Sequence, residues 1–229
     1  VNITSADAVS GVRGTATDFD GSTEDLHRNT DTDFDLDTAL TMSAWIKTTT
    51  SSDSYIFHRD AQTDTTCPSP GTSDNNSHYD FYVDDAGGTM KTTLRDSSDS
   101  TPQHILGNKI VNDGNWHSVT VTIDKDNALV NIYVDGVLDS STTLTETGTY
   151  TLDDGLYLGA WCNSTGTLGG YFPGTIDEPF VTAEALSGNQ VKRMYETGKR
   201  ALEGSHGAND LQNELAEDGV GTGAINNVS

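Results

Sequence analysis

The chain has 229 residues, 33% apolar and 21% charged, which is enough to bury one sizeable core. Twelve Lys and Arg stand against 35 Asp and Glu, a formal net charge of −23. That balance excludes a binder of phosphate backbones and opposes docking on anionic membranes.

In chain order, Val1-Asn2-Ile3-Thr4 has neither the basic head nor the apolar run of a signal peptide. A start without Met is expected of a piece taken from something longer. Ala16-Thr17-Asp18-Phe19-Asp20-Gly21 reads as an edge-like strand closing in a glycine turn. Phe34 and Leu36 share one face of the next segment. Leu40, Met42, Ala44 and Ile46 then alternate inward, with Trp45 on the opposite side. Tyr55-Ile56-Phe57 is a short strand, and Asp60 to His78 forms a long polar loop carrying Pro68 and Pro70. Loops of that length inside a domain usually serve function or move.

Tyr79-Asp80-Phe81-Tyr82-Val83 and Met90-Lys91-Thr92-Thr93-Leu94 flank an Asp84-Asp85-Ala86-Gly87-Gly88 turn, a hairpin signature. A second hairpin joins residues 116–124 to 130–137 through Asp124-Lys125-Asp126-Asn127, residues that tolerate turn angles. Trp161 ends the strand that starts at Gly155, and a glycine-rich loop runs from it to Gly170. Residues 171–181 form the last strand. Pro179 has no N–H for a ladder and must sit at a bulge or free edge. One helix follows, capped by Ser187 or Thr182, with Val191, Met194, Tyr195 and Leu202 at helical spacing and Gly198 as an interruption. Residues 1–203 are expected to form one domain, and 204–229 an extended tail or linker. No segment approaches the roughly 20 apolar residues of a membrane span.

Cys67 and Cys162 lie in polar loops rich in Ser, Thr and Asn. Two such cysteines read as a disulfide ahead of two free thiols. A metal role would need two further ligands.

Five pieces in order carry a family resemblance: Phe19-Asp20-Gly21-Ser22, Met42-Ser43-Ala44-Trp45-Ile46-Lys47, Asn115-Trp116-His117-Ser118-Val119, Ile132-Tyr133-Val134-Asp135-Gly136, and Phe172-Pro173-Gly174-Thr175-Ile176-Asp177-Glu178. Over roughly residues 15–200 the chain resembles the concanavalin A-like jelly rolls. The likeness is nearest to the laminin-G-like branch common in bacterial surface proteins and phage fibres. The resemblance implies an all-β fold, an antiparallel jelly-roll sandwich with one short C-terminal helix, with binding loops at a rim or along a concave face.

It also implies structural calcium where the first strand's turn meets the last strand, with Asp20 and Asp177 as oxygen donors. The bland alternative is that Asp20 makes its turn and Asp177 bonds backbone N–H groups. A rim calcium near Asp60, Asp64 and Asn163 would mark a ligand site. Asp31, Asp33 and Asp35 mimic the opening of an EF-hand loop, but Leu36 stands where glycine is needed, and the match fails.

Glycoside hydrolysis needs two carboxylates flanking the scissile bond, and no Glu-x-Asp-x-x-Glu pattern is present. Nor is there a Gly-x-Ser-x-Gly elbow. No catalytic residue is therefore expected, and His117 reads as a packed, hydrogen-bonded strand residue. Trp45 and Trp116 read as packing residues. Trp161, with Tyr171 across the loop, could stack on a sugar ring, the alternative being a lid over the sandwich end. The expected function is a non-catalytic extracellular recognition or adhesion module on a cell surface or virion, binding a glycan or surface protein with calcium support. The competing reading is an assembly domain of a virion, fibre or surface filament, self-associating through the C-terminal tail.

Overall fold

The computed structural model describes residues 3–28, 36, 38–60, 78–96, 101–146, 148, 150, 155–162 and 167–217, with the backbone alone for Asp60 and residues 205–217. Two antiparallel sheets face each other. The seven-stranded sheet runs β1 (Ala8–Ser10), β2 (Thr15–Asp20), β15 (Pro173–Thr182), β4 (Ala39–Thr48), β9 (His117–Asp124), β10 (Leu129–Val134), β11 (Val137–Thr143). The six-stranded sheet runs β3 (Leu26–Arg28), β12 (Leu156–Leu158), β5 (Ser54–Asp60), β6 (His78–Val83), β7 (Thr89–Arg95), β8 (Gln103–Ile110). A small hairpin, β13 (Trp161–Cys162) with β14 (Leu168–Gly169), lies beside β5. The expected sandwich of antiparallel sheets is what forms.

Alternation explains the core. Leu40, Met42, Ala44 and Ile46 of β4 point between the sheets with Val119, Val121 and Ile123 of β9, and meet Phe57, Phe81 and Met90 from the other layer. The outer face of β4 is buried as well, because the chain beyond β15 folds back over it. Thr41 donates its hydroxyl to the Glu184 carbonyl (2.6 Å) and accepts from the Leu186 N–H (3.0 Å). That tether leads into helix α1 (Gly188–Glu217), capped at Ser187, whose N–H and hydroxyl both reach Gln190 Oε1.

Three expectations change here. The strand around Phe19 is not an edge, since β1 and β15 flank it. Gly198 does not interrupt α1: the helix lies so close to Trp45 that a Cβ at Gly198 would come within 2.6 Å of the indole Nε1. The helix also continues through Glu217, into the stretch read as an extended tail from residue 204. Leu211 and Leu215 sit one turn apart there among Gln, Glu and Ala, good helix formers, and they outweigh the composition that argued for a tail. Pro179 falls at a bulge between Asp177 and Phe180, where Glu178 takes φ +47° and pairing with β2 has ended.

The hairpin motifs prove structural. Asp135 and Gly136 both have positive φ, the turn that joins β10 to β11. The Asp135 carboxylate accepts from His117 Nδ1 (2.9 Å), the Ser118 N–H (3.0 Å) and Lys109 Nζ (2.5 Å). His117 also meets Asp113 (3.2 Å), and these bonds raise its pKa, chiefly through Asp135 and against its burial. It is the packed histidine expected.

Candidate functional site

The outer face of the six-stranded sheet gathers rings and polar groups in two rows. Ladder pairing aligns Tyr55, Tyr82, Lys91 and Leu106 across β5 to β8. The adjacent row runs His27, Tyr157, His58, Asp80, Thr93 and His104. A bulge in β5 between Tyr55 and Phe57 brings Tyr55 and His58 to the same face despite their odd spacing.

Trp161 extends the first row into a three-ring stack. Tyr55 lies 4.5 Å from Tyr82 at 13° and 5.6 Å from Trp161 at 24°, both stacked geometries. Lys91 Nζ sits 5.3 Å from the Tyr82 ring centre, on the far side of the row from Trp161. The β13–β14 hairpin fixes Trp161. Cys162 is disulfide-bonded and packs with Tyr157 and Leu168, and the Tyr55 N–H donates to the Gly170 carbonyl (2.9 Å). Gly170, at φ +53°, is wedged between the rings: a Cβ there would lie 2.4 Å from Trp161 Cδ1 and 2.5 Å from Tyr55 Cδ2.

His58 supports the stack from the second row. Its ring stands edge-on to Tyr55 and to Trp161, and Nδ1 meets Asp80 Oδ1 at 2.5 Å. His27 pairs with Asp25 in the same way at 2.6 Å. Burial, with help from Asp80, raises the Tyr55 phenol. Burial works against the Lys91 ammonium, but bonds to Tyr82 and Asp84 outweigh it and raise its pKa. Burial lowers His104, and Lys91 and His78 add to that. At neutral pH the face therefore offers neutral phenols, a firmly charged ammonium and a neutral imidazole.

The residues expected from sequence divide. Trp161 is at the centre of the stack. Tyr171 is half-buried after Gly170, with its phenol raised by burial, then Asp25 and Asp20, and it makes no ring contact with Trp161 among the described residues. Asp60 ends β5, its backbone paired with His78. Cys67, Asp64 and Asn163 lie outside the described residues.

Asp20 and Asp177 do not meet at one ion. Asp20 pairs with Pro173, four residues from Asp177 along β15, roughly 13 Å at the usual strand rise. Asp20 is filled by its turn: Oδ1 accepts the Ser22 and Thr23 N–H groups, and Oδ2 both hydroxyls, which hold its pKa well down. Asp177 accepts from the N–H groups of Arg13 (3.0 Å) and Glu178 (2.9 Å). These are the turn and backbone roles that stood as the alternative.

A different carboxylate group, Asp53, Asp84 and Asp85, brings three oxygens within 4.8 Å of one another at the β6–β7 turn, beside Lys91. Reading the sequence missed Tyr55, Tyr82, His58 and Asp80. Outward alternation of Asp80 and Tyr82 against Tyr79, Phe81 and Val83 was the available signal. The β5 bulge concealed the rest.

A family model of the concanavalin A-like lectin/glucanases superfamily matches residues 20–192. Among solved structures, the chain is similar to the Ruminococcus gnavus IT-sialidase CBM40 bound to alpha2,3 sialyllactose: 18% identity, TM-score 0.57, covering 76% of this chain and 97% of that one. It is similar to the native heptameric SAP-like pentraxin from Limulus polyphemus, at 17% identity and TM-score 0.57, covering 80% of this chain and 82% of that one. The binding domain of Paraclostridial Mosquitocidal Protein 1 aligns at 12% identity and TM-score 0.61, covering 83% of this chain but only 45% of that structure. No curated protein matches.

Proposed function

The chain belongs to the concanavalin A-like lectin/glucanases superfamily, and we propose that it is a non-catalytic recognition module that holds a glycan against the outer face of its six-stranded sheet. The Trp161–Tyr55–Tyr82 stack carries this reading. Trp161, the end ring of the stack, is half-buried, which leaves part of it to meet the C–H face of a sugar. His104 and Lys91 stand beside the rings to bond hydroxyls. A saccharide held by a protein of similar fold supports the ligand class. Such a module works outside the cell or on a surface, on a glycan or a glycosylated protein.

The carboxylates that meet the histidines of this face support recognition rather than turnover. Asp25 and Asp80, the acids that meet the histidines of this face, are each bound to one. Hydrolysis needs a free pair about 5–10 Å apart across the scissile bond. Asp53, Asp84 and Asp85 are the carboxylates that would supply oxygen donors to a calcium ion at this face. The test is a glycan array with calcium and with chelator, repeated with Trp161→Ala. Binding that drops about tenfold in the variant, the equivalent of losing one stacking contact of about 1.4 kcal/mol, supports the reading. Binding unchanged by Trp161→Ala, or none in either buffer, overturns it.

A second reading, an assembly domain, draws on Ile110 (57% exposed), Val137 (67%) and Leu138 (51%) along the adjoining edges β8 and β11. A monomer by light scattering at high concentration would remove it.

A further inference from the structure

One side of the sandwich is closed by side chains instead of a ladder. Strand β8 ends the six-stranded sheet, β11 ends the seven-stranded one, and the two lie against each other. Each is bulged there. Gly107, Asn108 and Lys109 of β8 stand opposite Met90, and Asp139 is the extra residue of β11 between Leu138 and Ser140. The Asp139 carboxylate accepts the N–H groups of Asn108 (2.6 Å) and Lys109 (3.1 Å). It comes this near because Gly107 has no side chain: a Cβ there would strike Asp139 Oδ2. Asn108 answers with its side-chain amide, which donates to the Asp139 carbonyl at 2.7 Å. Further back along β8, the Gln103 amide donates to the Thr143 carbonyl and accepts the Thr145 N–H, both at 2.8 Å. A side-chain amide there does what the peptide of a neighbouring strand would do.

These are the backbone groups through which an edge strand recruits another, because a row of open N–H and C=O groups templates strand addition. The side chains around them favour such pairing. Leu106 (47% exposed) and Ile110 (57%) on β8, with Val137 (67%) and Leu138 (51%) on β11, are apolar and face water. An apolar edge of this kind, left open, is where identical chains pair. Charge gives little protection at contact. The net charge of −23 is screened beyond about 8 Å at physiological salt, and within the seam Lys109 Nζ neutralises Asp135 at 2.5 Å.

We propose that Asp139, Asn108 and Gln103 form a clasp that keeps β8 and β11 from adding a strand of a second copy of this chain. Asp139 occupies the β8 edge, and Asn108 and Gln103 occupy the β11 edge. While the clasp is shut, contact between copies at this seam is confined to side chains. The clasp is independent of the glycan face and stands or falls without it.

The test compares the native chain with Asp139→Ala by sedimentation velocity over a range of concentrations, and by amide exchange in dilute solution. Asp20→Ala is the control, since it removes turn bonds beside β2, a strand that neither β8 nor β11 pairs with. Asp139→Ala should self-associate at a concentration about tenfold lower than the native chain does, and the Asn108 and Lys109 amides should exchange about tenfold faster. Adding Ile110→Lys to Asp139→Ala should restore the native behaviour, because an edge lysine opposes strand addition. Should Asp139→Ala fail to fold, Gln103→Ala opens the β11 edge at Thr143 and Thr145 and should associate in the same way. Association of Asp139→Ala, or of Gln103→Ala in its place, no stronger than native overturns the proposal. Equal association of Asp20→Ala does so as well, since lost stability would then be the cause. So do Asn108 and Lys109 amides that exchange in the native chain as fast as in an unstructured peptide.

Discussion

Gly198→Ala and Gly204→Ala place the same substitution in the same helix with opposite consequences. Replacing an interior helical glycine with alanine is worth about 0.8–1.0 kcal/mol of propensity. At Gly204 a Cβ meets nothing within 4 Å, so that gain should appear nearly whole. At Gly198 the Cβ would lie 2.6, 2.7 and 2.8 Å from Trp45 Nε1, Cζ2 and Cε2, atoms of a rigid ring that cannot swing aside. Overpacking of this kind costs about 1–3 kcal/mol. If the helix lifts instead, it forfeits the Trp45–Tyr195 stack, about 0.5–1.5 kcal/mol, and part of the Trp45 burial, a similar amount again. Net of propensity, Gly198→Ala should destabilise by about 0–2 kcal/mol. The two variants should then differ by about 1–3 kcal/mol, which is roughly 2–12 °C in Tm for a chain of this size. Urea unfolding with a common m-value reads the difference directly. If Gly198→Ala stabilises as much as Gly204→Ala, the helix does not rest on Trp45.

Three further outcomes follow from single residues. Gly170→Ala forces apart Trp161 and Tyr55 without removing either ring, so glycan affinity should fall as far as in Trp161→Ala, with a changed near-ultraviolet dichroism. His117 has a raised pKa, so its stabilisation is complete below the unfolded value of about 6.5 and is lost as pH rises through the folded one. The stability gap between the native chain and His117→Gln should therefore shrink from pH 5.5 to pH 8.5 in thermal melts, and a gap independent of pH would contradict it. Asp20→Ala removes the acceptor for four turn donors and should cost about 1 kcal/mol, as loss of a capping side chain does. The cost should be the same in calcium and in chelator. A loss seen only in calcium would restore an ion at Asp20.

Much of the sandwich was legible because alternation encodes burial directly. Leu40, Met42, Ala44 and Ile46 point inward as their spacing requires, and Pro179 sits at a bulge because it cannot donate. Strands β8 and β11 were not legible. Their exposed apolar residues, Leu106, Ile110, Val137 and Leu138, break the alternation that marks a half-buried strand. Trp161 was found from its place beside a glycine-rich loop, but its partners were not. Tyr55 shares a face with His58 only through a bulge, and Tyr82 reaches Tyr55 only through the pairing of β5 with β6. Asp20 and Asp177 are neighbours in the family pattern and four ladder positions apart in space.

The sequence alone determined which residues face inward and where the chain must turn, since both are local matters of side-chain period and backbone freedom. Tertiary structure alone decided which strands became neighbours, and with that which rings stack on the outer face of the six-stranded sheet and which helix closes over Trp45. Register and layer packing join residues dozens of positions apart, and nothing in a local pattern fixes such a distance.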